Sequence, residues 1–184
     1  DDKKDLQVAV KAAEEQLNIA KHREEAQVAF NAEQYDKAIV AWEKLLDLDA
    51  DDEKAKAGLA EAEKQQGIQA DIAAASAAAE KGDHQAALEA WERVRAAEPN
   101  HAEAQAGVKE AEHRLELDSY REQARDAFKE RRYDDAIGLW EKVLDSEPED
   151  DEAKGSVARI QSLSKIRQRL TELEEAVAAG KDKR

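Results

Sequence analysis

The chain has 184 residues and a formal charge of −15, with charged side chains making up 40% of it; a nucleic-acid backbone or an anionic membrane would need a basic stripe to release counterions, so neither is an expected ligand and basic or neutral partners are favoured. Seven glycines, two prolines and only 4% aromatics, beside abundant Ala, Glu, Lys and Leu, describe an almost wholly helical protein without strands. The absence of cysteine excludes disulfides, thiolate catalysis and cysteine-built zinc sites and leaves the compartment open.

The start, Asp1-Asp2-Lys3-Lys4, has neither an initiator methionine nor a signal-peptide core, and no run in the chain approaches the ~20 apolar residues that span a bilayer. Tyr35 to Leu48 is the first clear amphipathic element, with Ala38, Ile39, Trp42, Leu45 and Leu46 spaced by three and four on one helical face. The same pattern returns with Ala87, Leu88, Trp91 and Val94, and again with Ala136, Ile137, Trp140, Val143 and Leu144. Short helices are therefore expected near 35–48, 84–97 and 133–146. Trp42, Trp91 and Trp140 stand 49 residues apart, as do Tyr35, His84 and Tyr133, and Ala38, Ala87 and Ala136. These nine residues form the structural signature of a tandem repeat, and residues 1–184 read as one continuous array of about three and a half units.

Each short helix leads into an acidic loop: Asp49-Ala50-Asp51-Asp52, Glu98-Pro99-Asn100, then Glu147-Pro148-Glu149-Asp150-Asp151. Proline stops one helix there, and Asp or Asn can cap the next. About thirty residues with few breakers follow, as in Glu103 to Arg131 and Glu152 to Ala179, and read as one long helix or two coaxial ones. Their front halves carry Ala55, Leu59 and Ala62, repeated as Ala104, Val108 and Ala111 and as Ala153, Val157 and Ile160. Their back halves carry Ile68, Ile72, Ala75 and Ala79, matched by Ile166, Leu170, Leu173 and Val177. From Ala62 to Ile68 the step is one residue short of seven, so the stripe swings by roughly 100° and the two halves face different neighbours. Gly180, in the register of Gly82, is expected at a further hairpin turn, which implies a piece of, or a subunit adding to, a longer array.

These features resemble the tetratricopeptide repeat family along the whole chain. In the stretch from Ala26 to Ala50, the family's small residue is similar to Ala26, its turn to Glu33-Gln34-Tyr35, its signature alanine to Ala38 and its aromatic to Trp42, with its closing proline falling at Ala50. Gly82-Asp83 match the turn of the next unit, Pro99 and Pro148 the close, and Ala87 to Trp91 and Ala136 to Trp140 the alanine-to-aromatic step. The resemblance implies an all-α fold of tandem helical hairpins. The departure is length: 49 residues against the family's usual 34, the extra fifteen adding ~22 Å to the first helix. With long first helices of ~30 residues and short second helices of ~14, either a staggered rod or, if the long helix breaks near Gln65-Gln66-Gly67, an ordinary α-solenoid is expected.

Candidate chemistry is sparse. His22, His84, His101 and His113 occupy different repeat positions and form no i, i+4 pair, so surface or packing roles are expected and no metal. Asp47, Asp49 and Asp51 mimic the opening of a calcium loop, but Asp52 stands where glycine is needed and Gly58 where a bidentate carboxylate is needed. Tryptophans on the apolar stripe read as core. No phosphate loop, nucleophile constellation or paired carboxylates appear, so no cofactor and no enzyme are expected. Some family members clamp a terminal carboxylate; the equivalent slots, Gln27, Ser76 and Arg125, do not support that activity here. Two functions follow: a non-catalytic scaffold that binds a protein or peptide on its helical surface, or a structural spacer or self-assembling filament or oligomer subunit in which chain ends stack on one another.

Overall fold

The computed structural model describes residues 2–181; Asp1 of the charged start lies outside them. Seven helices and no strand occur among the described residues: α1 (Asp2–Asn31), α2 (Tyr35–Leu48), α3 (Glu53–Glu80), α4 (His84–Ala97), α5 (Ala102–Lys129), α6 (Tyr133–Ser146) and α7 (Asp151–Lys181). Long helices of 28–31 residues alternate with short ones of 14. This is the all-α helical-repeat arrangement that the 49-residue recurrence predicts. α3 runs unbroken through Gln65-Gln66-Gly67, so the long helices are continuous there. Gly180, expected at a turn, is helical in α7. Two compact units divide the chain, Asp1–Val108 and Lys109–Arg184.

In the first unit, Ile19, Ala26 and Ala29 of α1, Ala38, Ala41, Trp42 and Leu45 of α2, and Ala55 and Ala62 of α3 share one core. A second cluster joins Ile68 and Ala75 of α3 to Ala90, Trp91 and Val94 of α4 and to Ala104 and Val108. The front and back stripes of α3 thus enter different cores, as a 100° swing requires. Ala79 does not belong to that stripe; it is exposed, and Ala78 is half-buried in its place. In the second unit, Ala124 and Ala127 of α5, Ala136, Trp140 and Val143 of α6, and Ala153 and Ile160 of α7 form the core. Alanines fully shut off from solvent at Ala26, Ala75 and Ala124 bring the helix axes close, because a larger side chain would hold the short helix away.

Each long-to-short turn is built alike. Gln34 N–H donates to Ala29 O at 2.9 Å, Asp83 to Ala78 at 2.9 Å and Arg132 to Ala127 at 2.9 Å, while the preceding residue donates to the carbonyl three back. This six-to-one and five-to-two pairing closes the helix with one left-handed residue. That residue is Glu33 at φ 57°, Gly82 at φ 73° and Arg131 at φ 63°, so only the middle unit has the amino acid best suited to it. Replacing Gly82→Ala should cost about 1 kcal/mol, and Arg131→Gly should raise stability by a fraction of that, since the left-handed region disfavours any Cβ by roughly 1–2 kcal/mol. Urea denaturation midpoints, with unchanged slopes, check both signs.

The acidic loops cap the following long helices. Asp52 accepts from the N–H of Lys54 at 2.9 Å and of Ala55 at 3.0 Å, and Asp150 from that of Ala153 at 2.8 Å. Between them the expectation fails: His101 Nδ1, not Asn100, accepts from Ala104 N–H at 3.2 Å. Arg23 pairs with Asp52, and Arg121 reaches Asp150 at 2.9 Å and Glu147, tying the back halves of α1 and α5 to the loops beyond α2 and α6. The Ala153 N–H, followed by Arg121, outweighs desolvation and holds the Asp150 carboxyl below its ordinary range. Asp52 is lowered by the Ala55 N–H and Arg23. A carboxylate depressed in the folded state contributes stability that is whole above its unfolded pKa and fades below it. Asp150→Ala should therefore lose roughly 1 kcal/mol at neutral pH, and its deficit relative to the parent should close as pH falls below about 4. Thermal melts across that range measure the gap.

Candidate protein-interaction surface

Residues of the repeat signature lie inside the units. Ala38, Ala87 and Ala136 are buried, as are Trp42, Trp91 and Trp140, while Tyr35, His84 and Tyr133 are half-buried at the starts of the short helices. Tyr35 meets Phe30 edge to face at 5.4 Å, and Tyr133 meets Phe128 at 5.9 Å. Burial raises the Tyr35 hydroxyl pKa, with nearby carboxylates adding to it. These residues set helix spacing and leave the surface to others.

Two recurrent glycines carry part of that spacing. Gly58 in α3 and Gly107 in α5, 49 residues apart, lie against indole rings: a Cβ on Gly58 would sit 2.5 Å from Trp42 Cε2, and one on Gly107 2.4 Å from Trp91 Cε2. Ser156 takes this slot in the second unit, beside a small cleft of about 50 Å³ next to Trp140, over which Arg125 lies at 5.9 Å. Gly58, which stands where a calcium loop would need a carboxylate, thus has a packing role instead. A helix-interior glycine repeating with the tryptophans was the available signal.

An open groove of about 620 Å³ runs between the end of α1 and the start of α2. Val28, Ala29 and Ala32 form one wall, Val40 and Ala41 the other, and the small alanines let the two helices approach closely below them. Glu25, Asp36, Lys37 and Lys44 stand around it. His22 Nδ1–H donates to a Glu25 carboxylate oxygen at 3.0 Å, and this hydrogen bond, with Lys21 and Lys44 nearby, lowers the Glu25 carboxyl pKa. Lys37 donates to Gln34 Oε1 at 2.8 Å, and Gln66 to Asp36. The immediate surroundings are balanced in charge; the floor is aliphatic.

Val28 is 62% and Val40 47% exposed. At the same slots the other units hold Ala77 and Glu89, then Asp126 and Gly138. The groove is thus an apolar departure from the repeat, in positions that packing leaves free to vary. Periodicity missed it because both valines fall outside the core stripe; the signal was the unit-to-unit difference.

Slots read as the equivalents of a carboxylate clamp are not assembled as one. Gln27 donates to Asn31 at 3.0 Å, Ser76 is exposed, and Arg125 pairs with Glu152 at 2.7 Å. The histidines are dispersed among a Glu25 contact, a helix start, a cap and an exposed site, and no cluster of three or more potential metal ligands occurs among the described residues. No helix among them is long and apolar enough to cross a membrane.

Compared with known families, residues 121–161 match the tetratricopeptide repeat, from the back half of α5 through α6 into the front half of α7. The chain carries a tetratricopeptide repeat. Its first helix is the back half of a long helix, so in the 49-residue unit that helix is extended ahead of the tetratricopeptide hairpin. A comparison with curated proteins gave no match to the chain. Tetratricopeptide repeats bind proteins or peptides, and their all-helical fold is typically non-catalytic.

Proposed function

We propose that this chain is a non-catalytic scaffold whose α1–α2 groove takes an aliphatic side chain of a peptide or protein that is basic or neutral overall. The exposed Val28–Val40 pair carries this reading, since aliphatic side chains at slots that are polar or smaller elsewhere lose water contact only when something covers them. Burying one leucine-sized side chain there contributes roughly 1.5–3 kcal/mol. The formal charge of −15 adds long-range attraction for a cationic partner, which speeds encounter and weakens with salt.

Peptide-display selection on the immobilised chain tests this directly. Enriched peptides should pair an aliphatic residue with net positive charge, shift the amide signals of Val28, Val40 and Lys44, and lose at least tenfold in affinity against Val40→Glu. Selection of no peptide, or of peptides indifferent to Val40→Glu, would refute it.

A further inference from the structure

The side chains that cap the long helices α3, α5 and α7 occupy one repeat position, held by Asp52, His101 and Asp150 in turn. A second position, on the back half of the preceding long helix, supplies Arg23 to Asp52 and Arg121 to Asp150, and in the same register holds Ile72 where the cap is His101. Cap and partner change together. An arginine set against a histidine would repel it whenever the ring is charged, whereas Ile72 packs on the core that contains Ala104 and Val108.

This exchange alters the conditions under which the cap can work. Asp52 and Asp150 accept as long as they are ionised, and the N–H groups they cap, followed by their arginines, hold both carboxyls below the ordinary range. An imidazole accepts only through a nitrogen that carries no proton. Nδ1 of His101, 3.2 Å from the Ala104 N–H, is that nitrogen, so the single ring hydrogen lies on Nε2. A second proton would enter at Nδ1 and set one donor against another, at the positive end of the α5 dipole. Imidazoles make this change of charge between about pH 8 and 5.

Charged groups near the ring come from three elements. Lys64 of α3 lines the same shallow cleft and opposes a second cation there. Glu98, just beyond α4, favours one, but its carboxylate already accepts from Gln65 at 2.7 Å and Lys64 at 3.3 Å. Glu103 is exposed in the first turn of α5. None of them can return to a protonated Nδ1 its role as acceptor.

We propose that His101 is a pH-sensitive cap, through which acidification releases the first turn of α5 while the aspartate caps of α3 and α7 hold. His101 N–H still donates to Glu98 O at 3.0 Å and Gln105 Nε2 to Pro99 O at 2.8 Å, bonds that do not involve the ring, so the loop stays anchored and the loosening is confined to the turn around Ala104. Ala104 shares a core with Trp91, and that core is the one the released turn uncovers. The α1–α2 groove takes no part, so this device and the scaffold reading can fail separately.

Nuclear magnetic resonance of the whole chain between pH 8 and 5 tests the proposal. The Ala104 amide signal should move with the same midpoint as the His101 ring, while the amides of Lys54 and Ala55, capped by Asp52, should not follow it. His101→Asn keeps an acceptor at the cap but has no proton to gain. It should melt with the parent at pH 8 and about 2–4 °C above it at pH 5, the shift that one lost cap gives a chain of this size. His22, His84 and His113 are common to both proteins, so their titration cancels in the difference. An Ala104 amide indifferent to the ring's titration would overturn the proposal. A melting difference of the same size at both pH values would overturn it too, marking His101 as a packing residue whose charge does not matter.

Discussion

Trp140→Ala should remove about 3–5 kcal/mol from the second unit, the range for deleting a large buried aromatic. Trp140 is among the largest fully buried side chains and fills the space between Ala124 and Ala127 of α5 and Ala153 and Ile160 of α7. The alanines at Ala124, Ala127 and Ala153 have no side chain to rotate inward, so the space would be filled only in part. The Arg125 guanidinium above the ring would lose its aromatic partner as well. Trp42→Ala should cost less, because the Trp42 indole N–H is buried and makes no hydrogen bond among the described residues. Truncation there removes an unsatisfied donor that itself costs roughly 1–3 kcal/mol. Equal losses for the two substitutions in guanidinium titrations would contradict this ordering.

Gly107→Ala and Gly67→Ala should move stability in opposite directions, although both place alanine inside a long helix. Alanine is better than glycine in a helix interior by about 1 kcal/mol, and Gly67, with nothing within 4 Å of its would-be Cβ, should realise that gain. Gly107 should not. Its Cβ would lie 2.4 Å from Trp91 Cε2, where the ring or the helix must shift. Overpacking of this kind costs about 1–3 kcal/mol, enough to cancel the propensity gain and reverse its sign. Paired melts of the two variants decide it: stabilisation by Gly107→Ala would mean that the indole yields freely.

The fold class was legible because two periods coincide in the chain. A three-and-four spacing marks each short helix, and the 49-residue recurrence of tryptophan, alanine and Tyr/His shows how helices alternate. The end of α5 is less so: periodicity extends the helix to Arg131, yet it stops at Lys129 because Arg131 adopts a left-handed conformation that arginine does not advertise. At the loop before α5 the residue types point to Asn100 as the cap, but the geometry gives that bond to His101. Ile166, Leu170, Leu173 and Val177 form the stripe that periodicity assigns to a neighbour, and all four are exposed. Periodicity finds an apolar face without saying what covers it. The α1–α2 groove was hidden for the opposite reason, since Val28 and Val40 lie off the stripe and acquire meaning only once two helices bring them together.

The placement of one indole in each core gives the molecule built-in optical probes. Variants that keep Trp42, Trp91 or Trp140 alone, with phenylalanine at the other two positions, would report by emission colour when water reaches that core. Loosening at one end of the chain could then be timed against loosening at the other without attaching a dye.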